Sequence, residues 1–163
     1  DVSEKKFFSY KTATSVGIFA FIDSKEAYDK ITGYASFLNH EYNIPRVAIL
    51  FLINEDEVPE YINEKNHSIV LLEKELKFKL DKNKIEIKNF ICEKFNILLD
   101  LSRNVNTSTE FIIKSSNSSF KVGKFAEGNQ HIYDFMISLE QKEDLSDLMK
   151  SIDRYLLMID TNY

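Results

Sequence analysis

The chain has 163 residues, 44% hydrophobic and 29% charged, with 4 Gly, 2 Pro and 1 Cys. These values are ordinary for a globular domain and exclude a collagen, a disulfide scaffold and a Pro/Gly-rich disordered chain. Residues 1–163 are read as a single domain, since domains usually run roughly 100–200 residues. Lys and Arg number 21 against 26 Asp and Glu, a net charge of -5. With no basic excess or stripe, this balance argues against a nucleic-acid partner, whose phosphates dominate affinity.

In chain order, Ser15 to Ile22 is an apolar, β-branched and aromatic run of strand length. Asp23, with Glu26 three residues on, predicts a capping box opening a helix. Ala27, Ile31, Tyr34, Ala35, Leu38 and Tyr42 then recur at helical spacing, and Pro45 closes the segment. Arg46 to Ile53 is a second strand, so uniformly apolar after Arg46 that both faces of its sheet must be covered. Strand, helix and strand in this order predict a parallel βαβ unit. Asn54 to Ser68 reads as a loop, and Ile69 to Leu72 as a short strand.

The segment from Lys74 to Lys94 admits two readings. Leu76, Phe78 and Leu80 alternate, as do Ile85 and Ile87, which suits a hairpin turning at Asp81–Lys84. Ile87, Phe90, Ile91 and Lys94 also share one helical face, which favours an edge strand or loop followed by a helix. Phe95 to Leu101 is a third strong strand. Thr107 and Glu110 predict a second capping box ahead of Phe111, Ile112 and Ile113. Phe120–Gly123 and Tyr133–Leu139 are short strands, and Asp144 caps a final helix with its stripe at Leu145, Leu148, Met149, Ile152, Tyr155, Leu156 and Ile159.

The alternation predicts an α/β three-layer sandwich with a Rossmann-like, mostly parallel sheet. The link from Gly123 to Tyr133 is shorter than the dozen or so residues a helical crossover needs, which predicts an antiparallel strand at one edge. The lone Cys92, within Phe90-Ile91-Cys92, is read as a buried, inert thiol. The longest apolar runs, Val16–Ile22 and Val47–Ile53, fall far short of the ~20 residues of a membrane helix. Lys5 and Lys6 precede apolar residues as in a leader, but Lys11 interrupts the stretch and no small-residue cleavage site follows. The expectation is a cytoplasmic protein with no membrane partner.

The common catalytic signatures are missing. The first strand turns into its helix through Asp23-Ser24-Lys25, with no glycine for close phosphate approach. Gly123 and Gly128 have the outer spacing of a P-loop, but Asn129-Gln130 stands where Lys-Ser/Thr would be needed. His40, His67 and His131 share no ligand spacing, so neither metal nor cofactor is expected.

What remains is position. Ligands of open α/β sheets sit beyond the carboxyl ends of the strands. Here those ends carry Asp23-Ser24, Asn54-Glu55-Asp56, Asp100-Leu101-Ser102-Arg103 and Gly123-Lys124. Asp100 lies within an apolar strand, where its carboxylate must find partners or shift its pKa. Arg103 is one of only three Arg in a Lys-rich chain and suits bidentate contact with an oxyanion. Thr107 begins a helix whose N-terminus suits an anion. Asp100, Ser102, Arg103, Thr107 and Lys124 are therefore the candidate ligand-binding residues. The competing reading is purely structural: Asp100 binds backbone amides of the following turn, and Thr107 merely caps its helix.

The stretch Phe95–Phe125, with Phe-Asn-Ile-Leu-Leu-Asp-Leu-Ser and later Ser-Ser-Phe-Lys-Val-Gly-Lys-Phe, together with Tyr-Asp-Phe-Met-Ile from Tyr133, resembles a family of small uncharacterised bacterial proteins, a domain of unknown function. The resemblance extends over most of the chain. It implies a helix at Asn83–Lys94 rather than a hairpin, although Lys77–Lys84 departs from the aromatic- and Pro-containing loop of the family, and it implies no activity. Ile-x-Leu-Asp-Leu at Ile97–Leu101, followed by Lys121-Val122-Gly123, is also similar to the N-terminal Rossmann-like half of heptosyltransferase-type glycosyltransferases. Those enzymes work in a cleft between two such domains and this chain has room for one, so the likeness implies a shared fold rather than a shared reaction.

Two functions are compatible with these residues. The first is a non-enzymatic module that binds a protein partner or a small-molecule ligand. The second is a small enzyme or sensor for an anionic or nucleotide-like ligand held by Asp100, Ser102, Arg103 and Lys124.

Overall fold

The structure, a computed structural model, describes residues 6–63, 68–77 and 85–159. Strand β1 (Ser15–Ile22) leads through helix α1 (Lys25–Glu41) to β2 (Arg46–Ile53). β3 (Ile69–Leu72), α2 (Glu73–Lys77), α3 (Ile85–Cys92) and β4 (Ile97–Asp100) follow. Then come α4 (Thr107–Ser115), β5 (Phe120–Lys124), β6 (Phe135–Ile137) and α5 (Leu145–Met158).

The six strands form one sheet in the order β3-β2-β1-β4-β5-β6. Successive strand residues point to opposite faces. Ile18, Ala20 and Ile22 of β1 therefore face α1 and α5, packing with Ile31, Leu38, Ile152 and Leu156. Phe19 of the same strand faces the other way, with Phe90 of α3 and Ile112 and Ile113 of α4. Both faces are covered, as the unbroken apolar run of β2 requires.

All paired neighbours in the sheet run parallel, β5 and β6 included, where Val122 pairs with Phe135 and Lys124 with Ile137. The expected antiparallel edge is thus corrected. A strand of 3 residues sets a return path of only about 10 Å, which a helix-free link can cover. The link turns at Ala126–Asn129, where Asn129 N–H donates to the Ala126 carbonyl at 3.0 Å and Gly128 takes φ +90. It then buries Ile132 and Tyr133 under the second face.

Three local expectations also change. The cap of α1 is Ser24, not Asp23: its Oγ accepts from Ala27 N–H at 3.2 Å. The cap of α4 is Asn106, whose side chain accepts from Thr109 N–H at 2.9 Å, so Thr107 is the first helical residue and not the cap. Cys92 is exposed, because two residues beyond the buried Phe90 a helix has turned about 200°. Asp144 does cap α5, in a capping box with Asp147. Ile85 and Ile87 are helical, so the hairpin reading fails there; its turn, at 81–84, lies outside the described residues.

Candidate functional site

The sheet order makes β1 and β4 neighbours although their chains leave in opposite directions, β1 towards β2 and β4 towards β5. This is the topological switch point, where the connections diverge and open a crevice at the carboxyl ends. A cavity of about 410 Å³ lies there. Its apolar part is made by Ile22, Ala27, Leu101, Leu139, Leu145 and Leu148. α1 and α5 both begin at its edge, through Ser24 and Asp144.

The floor of the crevice is held by a buried polar clasp. Strand pairing of β1 with β4 continues past Asp100 through Leu101 N–H, which donates to the Phe19 carbonyl at 2.9 Å. At the next step Ser102 Oγ stands in for a backbone carbonyl and accepts from Phe21 N–H at 2.8 Å. Asp100, 2% exposed, accepts from Ser102 N–H at 2.9 Å through Oδ1 and from the Tyr133 hydroxyl at 2.5 Å through Oδ2. Burial pushes the Asp100 pKa above the usual carboxylate value, and the bonds from Ser102 and Tyr133 oppose that shift. Burial, and then the charge of Asp100, hold the Tyr133 proton well above its usual range. The ring of Tyr133 lies against Gly123, where a Cβ would meet its Cε1 at 2.4 Å. Glycine in β5 is what lets the phenol reach Asp100.

The rim is charged and mixed in sign. Lys30 Nζ contacts Glu26 Oε1 at 3.1 Å and Asp144 Oδ2 at 3.8 Å, joining α1 to α5 across the cavity. Arg103 and Lys124 contribute cations from the ends of β4 and β5, and Asp23 and Glu143 contribute carboxylates from the end of β1 and the approach to α5.

Of the five candidate residues, the structure places Ser102, Arg103 and Lys124 in the cavity wall, while Asp100 and Thr107 lie outside it. Asp100 sits behind the wall in the clasp, with the turn-binding role of the structural reading. Thr107 is exposed on α4, which packs against the other face of the sheet. The N-terminus of α4 has its own acid: Glu73 Oε1 accepts from Ser108 Oγ at 3.2 Å and from Asn106 Nδ2 at 3.4 Å. Lys30, Gln141 and Glu143 were not legible as site residues, because only the return of α5 onto the face of α1 brings them to the strand ends. Among the described residues no group of three or more His, Cys, Asp or Glu could hold a metal ion, and no helix is long and apolar enough to cross a membrane.

The fold is similar to that of a glycosyl transferase family 9 protein from Veillonella parvula DSM 2008, with a TM-score of 0.60 and 15% identity over 94% of this chain and 44% of that one. It is similar also to the E. coli heptosyltransferase WaaC with ADP, with a TM-score of 0.56 and 8% identity over 90% of this chain and 48% of that one. The same enzyme with ADP-2-deoxy-2-fluoro heptose matches at a TM-score of 0.53 and 9% identity, over 90% of this chain and 49% of that one. The chain thus spans less than half the length of these solved relatives, and the likeness is one of fold. A search of curated protein sequences returns no match. A family model does match, over residues 1–159, and the chain belongs to that family, the family of unknown function DUF6913.

Proposed function

We propose that the chain is a single cytoplasmic ligand-binding domain that takes a small polar molecule into the switch-point cavity without transforming it. The observation that carries this reading is the cavity itself. At about 410 Å³ it has the size of small-molecule sites, about 300–1,000 Å³, with an apolar wall, a polar rim and the position where sheets of this order bind ligands. The non-catalytic part is supported by the engagement of Asp100 and Ser102, both of which are bonded within the protein. A concave crevice of this volume favours a small molecule over a protein partner.

A second reading, a small enzyme or sensor for an anionic or nucleotide-like ligand, is favoured by Arg103 and Lys124 in the wall. It is favoured also by the ADP and ADP-2-deoxy-2-fluoro heptose of the similar heptosyltransferase structures.

The test is a thermal-shift screen of polar metabolites against the full chain, with NMR of each hit. Saturable binding that Gln141→Trp blocks at the cavity rim, with the compound recovered unchanged, supports the first reading. Conversion of the compound moves the assignment to the second, and binding indifferent to Gln141→Trp removes the cavity from both.

A further inference from the structure

We infer that the ligand of this cavity carries one oxyanionic group, a carboxylate or a phosphate, and one ammonium group, on a small body with an apolar face. The inference rests on the binding reading above and narrows it to a chemical class.

It follows from which charges at the rim already have partners. Lys30 is held by Glu26 and Asp144, and Asp144 also caps α5. Among the described residues, Arg103, Lys124, Asp23 and Glu143 make no ion pair. All four line the cavity. Arg103 and Lys124 reach the cavity from adjacent paired strands, β4 and β5. A guanidinium fork and an ammonium lining one cavity suit an oxyanion, bound bidentately by Arg with Lys adding its charge. Asp23 and Glu143 supply the opposite preference, for a positive group such as an ammonium.

The balance also disfavours polyphosphates. Two unpaired cations share the cavity with two unpaired carboxylates, so one oxyanion is matched by Arg103 and Lys124, while a second phosphate would meet Asp23 and Glu143 without a further counter-charge. Like charges brought together in a partly desolvated site penalise the wrong ligand. Leu139, Leu145 and Leu148 offer the apolar face of a sugar-sized ring its contact.

The experiment is calorimetric titration of the full chain with glucosamine 6-phosphate, 2-amino-2-deoxygluconate, glucose 6-phosphate, glucosamine and ADP. Either compound that carries both groups should bind at least tenfold tighter than glucose 6-phosphate or glucosamine, and tighter than ADP. Which of the two prevails identifies phosphate or carboxylate as the oxyanion. Arg103→Gln and Lys124→Gln should each bring the two-group compound down to the level of glucosamine while leaving glucosamine binding itself unchanged. Glu143→Gln should bring it down to the level of glucose 6-phosphate. These are rim substitutions, and circular dichroism melts confirm that each variant is folded. ADP binding tighter than the two-group compounds, or titrations that Arg103→Gln and Lys124→Gln leave unchanged, would overturn the inference. Neutral compounds binding in the cavity while these probes do not would also overturn it, with the binding reading left standing. A broad screen in which no compound of any class binds overturns both.

Discussion

Asp100 closes β4 and Arg103 stands three residues further on, yet they belong to different kinds of structure. Asp100 is buried, accepts bonds from Tyr133 and Ser102, and ties β4 to the second face of the sheet. Arg103 is exposed and, among the described residues, makes no ion pair. The same contrast separates Gly123 from Lys124: one admits the ring of Tyr133, the other turns to the cavity. Where a strand ends, the last residues inside the sheet have their polar groups satisfied by the protein, because an unsatisfied buried group costs more than a bond returns. The first residues outside remain free to meet a ligand. A cluster of polar residues at a strand end is therefore two populations, divided by burial.

This division can be broken most severely at Asp100. Asp100→Ala leaves the Tyr133 hydroxyl and the Ser102 amide without their acceptor, and urea denaturation should show a loss of about 3 kcal/mol. Gly123→Ala forces the Tyr133 ring away from β5, and the same measurement should give about 2 kcal/mol, as for an overpacked core. Tyr133→Phe removes one bond to the carboxylate and should cost about 1 kcal/mol or somewhat more. Arg103→Gln should lie within about 0.5 kcal/mol of the parent, since it leaves no buried group unsatisfied. A large loss there, or a negligible one at Asp100, would erase the contrast.

A pH series sharpens the comparison further. The folded-state pKa of Asp100 is raised, by burial first, so the native state holds this proton more tightly than the unfolded chain does. The contribution of the group to stability is then fully present below the ordinary carboxylate pKa of about 4 and declines as pH rises through the folded value. The stability of the parent relative to Asp100→Asn should accordingly fall with rising pH above about 4. A difference independent of pH would mean that the clasp is as well solvated as the rim.

Much of the fold was legible along the chain. β1 and β2 begin and end where their apolar runs do, because a strand covered on both faces leaves no room for polar residues. The stripe of α5 and its cap at Asp144 were equally plain. The caps of α1 and α4 fell one residue away from expectation, at Ser24 and Asn106, because several residues that can cap stand in succession and the strand or loop before them decides which is extended. Cys92 was misread because its neighbours Phe90 and Ile91 are apolar, while the helical turn carries it to the outside. Of the expected site residues, Ser102, Arg103 and Lys124 line the cavity at the strand ends, whereas Thr107 lies on α4 against the other face of the sheet, a placement not written in its own residues.

The sequence by itself determined the α/β class, the parallel central strands, and the family to which the chain belongs, because apolar periodicity and local motifs act over short stretches. The tertiary structure alone decided the sheet order, the parallel edge at β6, the partnership of Asp100 with Tyr133, and the joining of Lys30, Glu143 and Gln141 to the strand ends. Each of these depends on contacts between residues far apart in the chain, where side-chain volume and the satisfaction of buried polar groups select one arrangement among several that local pattern allows.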